Sequence, residues 1–478
     1  KRLSPTSLKV IVEEGRVFEK DHVGVTYSGV QSIGSPISEQ AFSLSRDEDL
    51  INEFKKIPDA SGWNDPTRWM SGGNVQLTRE FATFAETNPE RAFRVLQKFE
   101  PSFGTRAAGY ALDALSKSAE PDLMVTAILD LAARGFDGEE YRGSIARAID
   151  ALSHRDVMIG DDIIDLLKHW LATPAPRDAD DTNDDKPNVV DDLPDTLEGN
   201  EEGLAPKEAE EDEAGDGRSI LWGNSGMTLV PHGSFPILDC LMNILLKRKD
   251  SDGLLDILNG QVEAGDSLEV WKALTYRFIY LHPTSDEAFA TFLTRVFGQY
   301  PQLSGTREAA FLLGHVQWRL PDFVRERLAA CRDATNGIVQ QYYGELIALV
   351  AIVQPNLEWA SAALDEILQP GIPSAKILGV VHAAANLWAD EKVRDRANCT
   401  LIATMPLADS NGWFAIVDIF RSSEELVADT TTVTMLESLA KHMPRDIQID
   451  PVFLVPALAS LLPNNATLVA EIAQIPFA

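Results

Sequence analysis

Several stretches of this 478-residue chain carry residue types able to do chemistry, and each departs from the spacing that chemistry needs. Ser153-His154-Arg155-Asp156 holds the His-Arg-Asp triplet of protein kinases. The asparagine required five positions after the aspartate is Asp161, and neither a glycine-rich phosphate loop nor Asp-Phe-Gly is present. A loop at a helix end is the simpler reading. Gly223-Asn224-Ser225-Gly226 approaches a nucleophile elbow, but Gly-x-Ser-x-Gly needs glycine at 227, where Met227 stands; without a lysine it cannot hold a triphosphate either. Its glycines suit tight turns. Asp181, Asn183 and Asp185 match the first three ligand positions of a calcium loop, yet Lys186 replaces the obligatory glycine and Asp192 the twelfth-position glutamate. The eight histidines show no His-Glu-x-x-His and no i, i+4 pair; His169, His382 and His442 read as ordinary surface or half-buried helix positions. No catalytic residue, cofactor site or metal site is assigned.

Stepping from residues to elements, the chain reads as all-α. Residues 1–34 are ambiguous, with strand-like Val10-Ile11-Val12 and Val23-Gly24-Val25-Thr26-Tyr27. Ser45 and Glu48 have the spacing of a capping box opening a helix through Lys56. Ser61 to Gly73 reads as loop. From Leu77 the period is helical: Leu77, Phe81, Phe84 and Ala85 share a face, and Pro89 opens a helix carrying Ala92, Val95, Leu96 and Phe99. Further helices are predicted around Ala107–Leu115, from Pro121 with Val125, Ile128, Leu129 and Ala132, and over Tyr141–Leu152 and Asp161–Leu171. Beyond Phe235 the layout repeats; Ser285 caps a helix whose apolar set is Ala288, Phe289, Phe292, Leu293, Val296 and Phe297. Helix pairs recurring roughly every 35–45 residues, with no tetratricopeptide or ankyrin consensus, predict a degenerate HEAT/TPR-like α-solenoid of antiparallel pairs.

Between Arg177 and Asp216 stand 17 acidic residues against three basic ones, so about −14 of the formal −31 lies in this run. It holds no aromatic residue and five branched aliphatics, too few to offset the entropy of ordering, and predicts a disordered acidic linker. The organisation expected is therefore an N-terminal cap with one helix over 1–60, a first helical block over 61–173, the linker over 174–217 and a second block over 218–478. The negative charge argues against nucleic acid and anionic membranes as partners. The longest apolar runs, such as Leu346 to Val353, fall short of the ~20 residues of a membrane span. Cys240, Cys331 and Cys399 are odd in number and widely spaced, which suits reduced thiols in a cytoplasmic protein. The chain begins at Lys1 without methionine and reads as part of a longer protein.

Tryptophans Trp271, Trp318, Trp359, Trp388 and Trp413 are expected between helical layers. Trp222 differs, because it sits in a turn-rich loop. Together with Asn224 and His232 it is the candidate protein-binding set.

Several stretches carry a resemblance: Gly34-Ser35-Pro36-Ile37; Gly72 to Leu77 running on to Asn88-Pro89-Glu90-Arg91-Ala92; Ile220 to Gly226; Pro231 to Pro236; Tyr343-Gly344-Glu345-Leu346 with Leu357-Glu358-Trp359-Ala360; and His382 to Trp388. In this order they resemble the C-terminal helical-repeat region of bacterial STAND-type, NACHT-like NTPases of antiphage defence loci. The resemblance implies a sensor that binds a foreign, phage-encoded protein and so releases an NTPase core to oligomerise. Such a core carries its own phosphate loop, which these residues lack. The expectation is a non-catalytic recognition module, with self-association open to the full-length protein. The alternative is a structural scaffold or adaptor for a host complex. In either role the acidic run serves as a solubilising tether or as an electrostatic lid over a groove.

Overall fold

Prolines decide where many of the helices begin. The computed structural model describes residues 35, 39–57, 73–155, 157–176, 218–223, 231–422, 426, 429–445, 447 and 449–474. Pro89, Pro101, Pro121, Pro321 and Pro451 each open a helix, at the position where a missing N–H costs nothing. Elsewhere short polar side chains begin the helix. Asp250, Ser267, Ser285, Thr306, Asn336, Asp409, Asp429 and Asp450 each accept a first-turn N–H.

The first part of the chain forms α1 (Glu39–Leu44), α2 (Asp47–Lys56), α3 (Asn74–Thr87), α4 (Pro89–Leu96), α5 (Pro101–Leu115), α6 (Pro121–Ala133), α7 (Glu139–His154) and α8 (Asp161–Ala172). The second forms α9 (Phe235–Lys247), α10 (Ser251–Ala264), α11 (Leu268–Thr275), α12 (Asp286–Gln299), α13 (Arg307–Val316), α14 (Pro321–Cys331), α15 (Gly337–Val353) and α16 (Glu358–Ile367). It continues with α17 (Ser374–Leu387), α18 (Arg394–Thr404), α19 (Ser410–Val417), α20 (Ile419–Ser422), α21 (Thr430–His442), α22 (Pro451–Leu458) and α23 (Leu462–Gln474). The fold is all-α, and no strand occurs among the described residues.

Packing runs between alternate helices. α1 packs on α3, α3 on α5, α5 on α7 and α7 on α9; beyond these, α11 packs on α13, α13 on α15 and α15 on α17. The helices between them lean on neighbours in this layer, and α10 also packs on α12. Apart from a small cluster of Val350, Ala351 and Ala360, most buried apolar side chains join in a core that runs from Phe42 to Ile472, so the parts before and after the acidic run share an interior. Their junction is polar at its edges. Asn243 Nδ2 donates to Asp150 Oδ1 at 2.6 Å, Lys247 Nζ to the Ser153 carbonyl at 2.5 Å, and Arg248 Nη1 to Asp161 Oδ1 at 2.5 Å.

Several expectations need correction. The N-terminal region carries two helices, not one, and both pack onto the first block through Phe42 and Phe54 against Phe81. The cap of α2 falls on extended Arg46 rather than Ser45, and it is no side-chain cap: the Arg46 guanidinium bonds Asp49 at 3.0 and 3.2 Å. α6 buries Met124, Ile128 and Leu131, while Val125, Leu129 and Ala132 are only partly buried. Ala288 is exposed at the start of α12. The stretch Val452–Ala473, which sequence inspection passed over, is long and apolar enough by length and composition to cross a membrane. Pro456 and the non-helical Asn465 break its regularity, and a third of its most apolar window is buried. The strand-like N-terminal residues, the 61–72 loop and the acidic run from 177 to 217 lie outside the described residues.

Candidate functional site

α15 is apolar around its whole circumference, and every residue from Gln341 to Ile352 is buried, as such a helix requires. Two glycines set its crossing with α17. A Cβ on Gly344 would lie 2.1 Å from the Lys376 carbonyl oxygen, and one on Gly379 only 1.9 Å from that of Gln341. The backbones therefore meet with no side chain between them, each glycine facing the other helix.

Within α15 the sole charged residue is Glu345, and it is fully buried. A buried carboxylate needs donors, and it finds them 125 residues away in Arg218–Gly223. Ser219 Oγ donates to Glu345 Oε1, the Ile220 amide to Oε2 at 2.9 Å and the Leu221 amide to Oε1 at 3.2 Å. The turn then closes on itself. The Trp222 amide donates to Ser219 Oγ at 2.9 Å and the Gly223 amide to the Ser219 carbonyl at 3.1 Å. Of the four consecutive N–H groups from Ile220 to Gly223, Ser219 takes two and Glu345 the other two. A Cβ at 223 would stand 2.2 Å from the Ser219 carbonyl oxygen, so glycine closes the turn. Gln341 Nε2 holds the start of the segment through the Arg218 carbonyl at 2.6 Å. The Leu221 side chain reaches the surface at Gly314 on α13, beside Leu346 and Leu349.

Burial pushes the Glu345 carboxyl up to about 7, against the opposing pull of the Ser219, Ile220 and Leu221 hydrogen bonds and of the Arg307 charge. The carboxyl thus titrates near neutrality inside the protein.

Beyond the turn lies an open cavity of about 590 Å³, between the segment and α17, α19, α20 and α22. Trp222 and Phe414 stand on it, 41% and 56% exposed. His382 and Asn386 of α17 line its floor, the former buried. On the far side the Arg421 guanidinium sits 5.6 Å over the Phe453 ring and pairs with Asp418 at 3.1 Å. Below α17, Trp388 Nε1 donates to Asn398 Oδ1 at 2.7 Å, and Asn398 Nδ2 donates to the hydroxyls of Thr431 and Thr432 at 3.1 and 3.2 Å. That buried network ties α17, α18 and α21 together.

Of the three residues singled out from sequence, Trp222 lines the cavity, whereas Asn224 falls outside the described residues. His232 is exposed just before α9 and does not line the cavity; the neighbouring Gly233 amide donates to Glu139 Oε1 at 2.9 Å. His154 and Arg155 of the kinase-like triplet end α7, and Arg155 Nη1 donates to the carbonyls of Ser116 and Ala119, both at 2.8 Å. Asp156 and the calcium-loop-like residues 181–185 lie outside the described residues. Among the described residues no group of three or more His, Cys, Asp and Glu could hold a metal ion. Cys240 and Cys331 are buried free thiols and Cys399 an exposed one. Of the tryptophans expected between layers, Trp271, Trp388 and Trp413 are buried, while Trp318 is 60% exposed. Sequence reasoning missed Glu345, Gly379 and Phe414; for Glu345 the available signal was a single charge in an otherwise uncharged 17-residue helix.

No protein-family model, curated protein or solved structure matches this chain.

Proposed function

We propose that this chain is a non-catalytic recognition module, its antiparallel helix pairs stacked as a HEAT/TPR-like solenoid that grips a protein partner. In the reading that its resemblance suggests, it is the sensor part of a bacterial defence STAND-type NTPase, and the partner is phage-encoded. The observation that carries the recognition reading is the pair of exposed aromatics, Trp222 and Phe414, on an open cavity whose walls are braced by the glycine-packed crossing of α15 and α17. Large aromatic side chains on a rigid frame are the kind that dominate interface energetics, because little rotamer entropy is lost when they are covered.

The test is comparative capture. The purified chain is immobilised and exposed to lysates of bacterial cells with and without phage infection, and the captured protein is then expressed and titrated. The sensor reading expects a phage-encoded protein whose affinity falls at least tenfold with Trp222→Ala and Phe414→Ala. Capture of the same host proteins from both lysates would favour a scaffold instead.

A further inference from the structure

Glu345 is an unusual group to find at the centre of an apolar helix, and its three donors all come from one short segment. Without Arg218–Gly223 the carboxylate and the Gln341 amide would form a polar slot beside the apolar surface of Gly314, Leu346 and Leu349. That slot has a definite chemical demand. It needs two consecutive backbone N–H groups and a hydroxyl, all pointing one way, with an aliphatic side chain alongside. A turn begun by serine or threonine offers this set, since its hydroxyl accepts from within the turn and still has a proton to give.

We propose that the slot over Glu345 is a recognition site for a serine- or threonine-capped turn, occupied here by the chain's own residues 218–223, and that the partner presents a segment of the same chemistry. The matching segment reads Ser or Thr, two aliphatic residues, an aromatic residue and glycine. This inference rests on the recognition reading above and names the class of ligand. Three features set the resident segment apart from ordinary core. Its anchoring is polar and converges on one side chain. Its aromatic residue is left 41% exposed. That residue and Gly223 line the open cavity of about 590 Å³, so the turn borders open space on one side.

The experiment uses the whole chain and a fluorescein-labelled synthetic peptide spanning residues 214–228. Ile220→Asp puts a carboxylate where a buried aliphatic side chain packs in the apolar core and so expels the resident turn. The peptide is expected to bind this variant at least tenfold more tightly than the unaltered chain, by fluorescence anisotropy. Adding Glu345→Ala to the variant, or replacing Ser219 of the peptide by alanine, removes that gain. Equal binding to the variant and the unaltered chain, or none to either, with far-ultraviolet circular dichroism unchanged, overturns the proposal. Should Ile220→Asp prevent folding, the unaltered chain decides: excess peptide must speed hydrogen exchange at the Ile220 and Leu221 amides at least tenfold, and unchanged exchange overturns the proposal. Peptide binding without capture of a phage protein removes the partner assignment alone. Capture of a phage protein without displacement of the turn removes this inference alone.

Discussion

Two forces act on Glu345 in opposite directions, and their balance sets a pH dependence that can be measured. Burial favours the neutral acid, while three converging donors favour the carboxylate. The structure gives the victory to burial, since the group rises from 4.5 to about 7. A folded-state value above the unfolded one means that the folded chain holds more protons between the two. Stability from this group is therefore complete below about pH 4.5 and is lost as pH rises through about 7. The interval of roughly 2.5 units corresponds to about 3 kcal/mol.

Glu345→Gln isolates that contribution, because glutamine has the same shape and does not titrate. Its amide can turn its oxygen to Ser219 and Leu221 or to Ile220, but not to both. One buried N–H is then left facing another donor, which costs about 1–3 kcal/mol. The assay is urea unfolding of the two proteins in parallel from pH 5 to pH 8, reported as the difference between them, so that all other titrating groups cancel. At pH 5 the natural protein should be the more stable. By pH 8 its advantage should have shrunk, or reversed, by about 3 kcal/mol. A difference that stays flat refutes the burial argument. A flat difference is also what a folded carboxyl below its ordinary value gives over this range, because the stability such a group adds is already complete above about pH 4.5.

Other substitutions probe the frame around the site. Gly379→Ala forces a methyl to within 1.9 Å of a backbone oxygen, which neither helix can yield without separating; a loss of at least about 3 kcal/mol in urea unfolding is expected, with loss of exchange protection at Ile220. Asn398→Ala strands the buried Trp388 indole N–H and should cost about 1–3 kcal/mol, read as a lower melting temperature. Arg142, buried against Asp137 and donating to the Trp170 and Thr173 carbonyls at 2.8 and 2.6 Å, should cost about 3–5 kcal/mol when replaced by alanine, because Asp137 and the end of α8 lose their partner. Phe414→Ala, at an exposed position, should leave the unfolding free energy within about 0.5 kcal/mol of the original.

How far the sequence could be read depended on how local the deciding physics was. Proline at a helix start acts through its own ring and missing N–H, so Pro89 and Pro121 marked boundaries correctly, and Ser285 capped α12 as its type suggests. Ser45 failed on equally local grounds. Arg46 itself is extended, and its guanidinium is drawn to Asp49, so the helix starts one residue later than a capping box would place it. For α6 the trouble was excess of signal. Leucines, isoleucine, methionine, valine and alanines surround that helix, so no stripe distinguished Met124 and Leu131 from Val125 and Leu129.

The site itself sits at the non-local end of this scale. Trp222 was legible because a tryptophan among glycines and polar residues has no helix stripe to join. Glu345 was not, because a charge on a helix is solvated by default, and what buries this one is a turn more than a hundred residues away in the chain. Yet the pattern was present in two halves. A lone carboxylate in a 17-residue apolar helix must either break that helix's burial or have donors brought to it, since an unpaired buried charge costs several kcal/mol. A segment that begins with serine, continues with two aliphatic residues and ends in glycine can supply such donors and close on itself. Neither half identifies a site alone. Only their complementarity pairs them: the buried carboxylate is met by one hydroxyl and two backbone N–H groups, donors that carry no formal charge, in a protein whose overall charge is strongly negative.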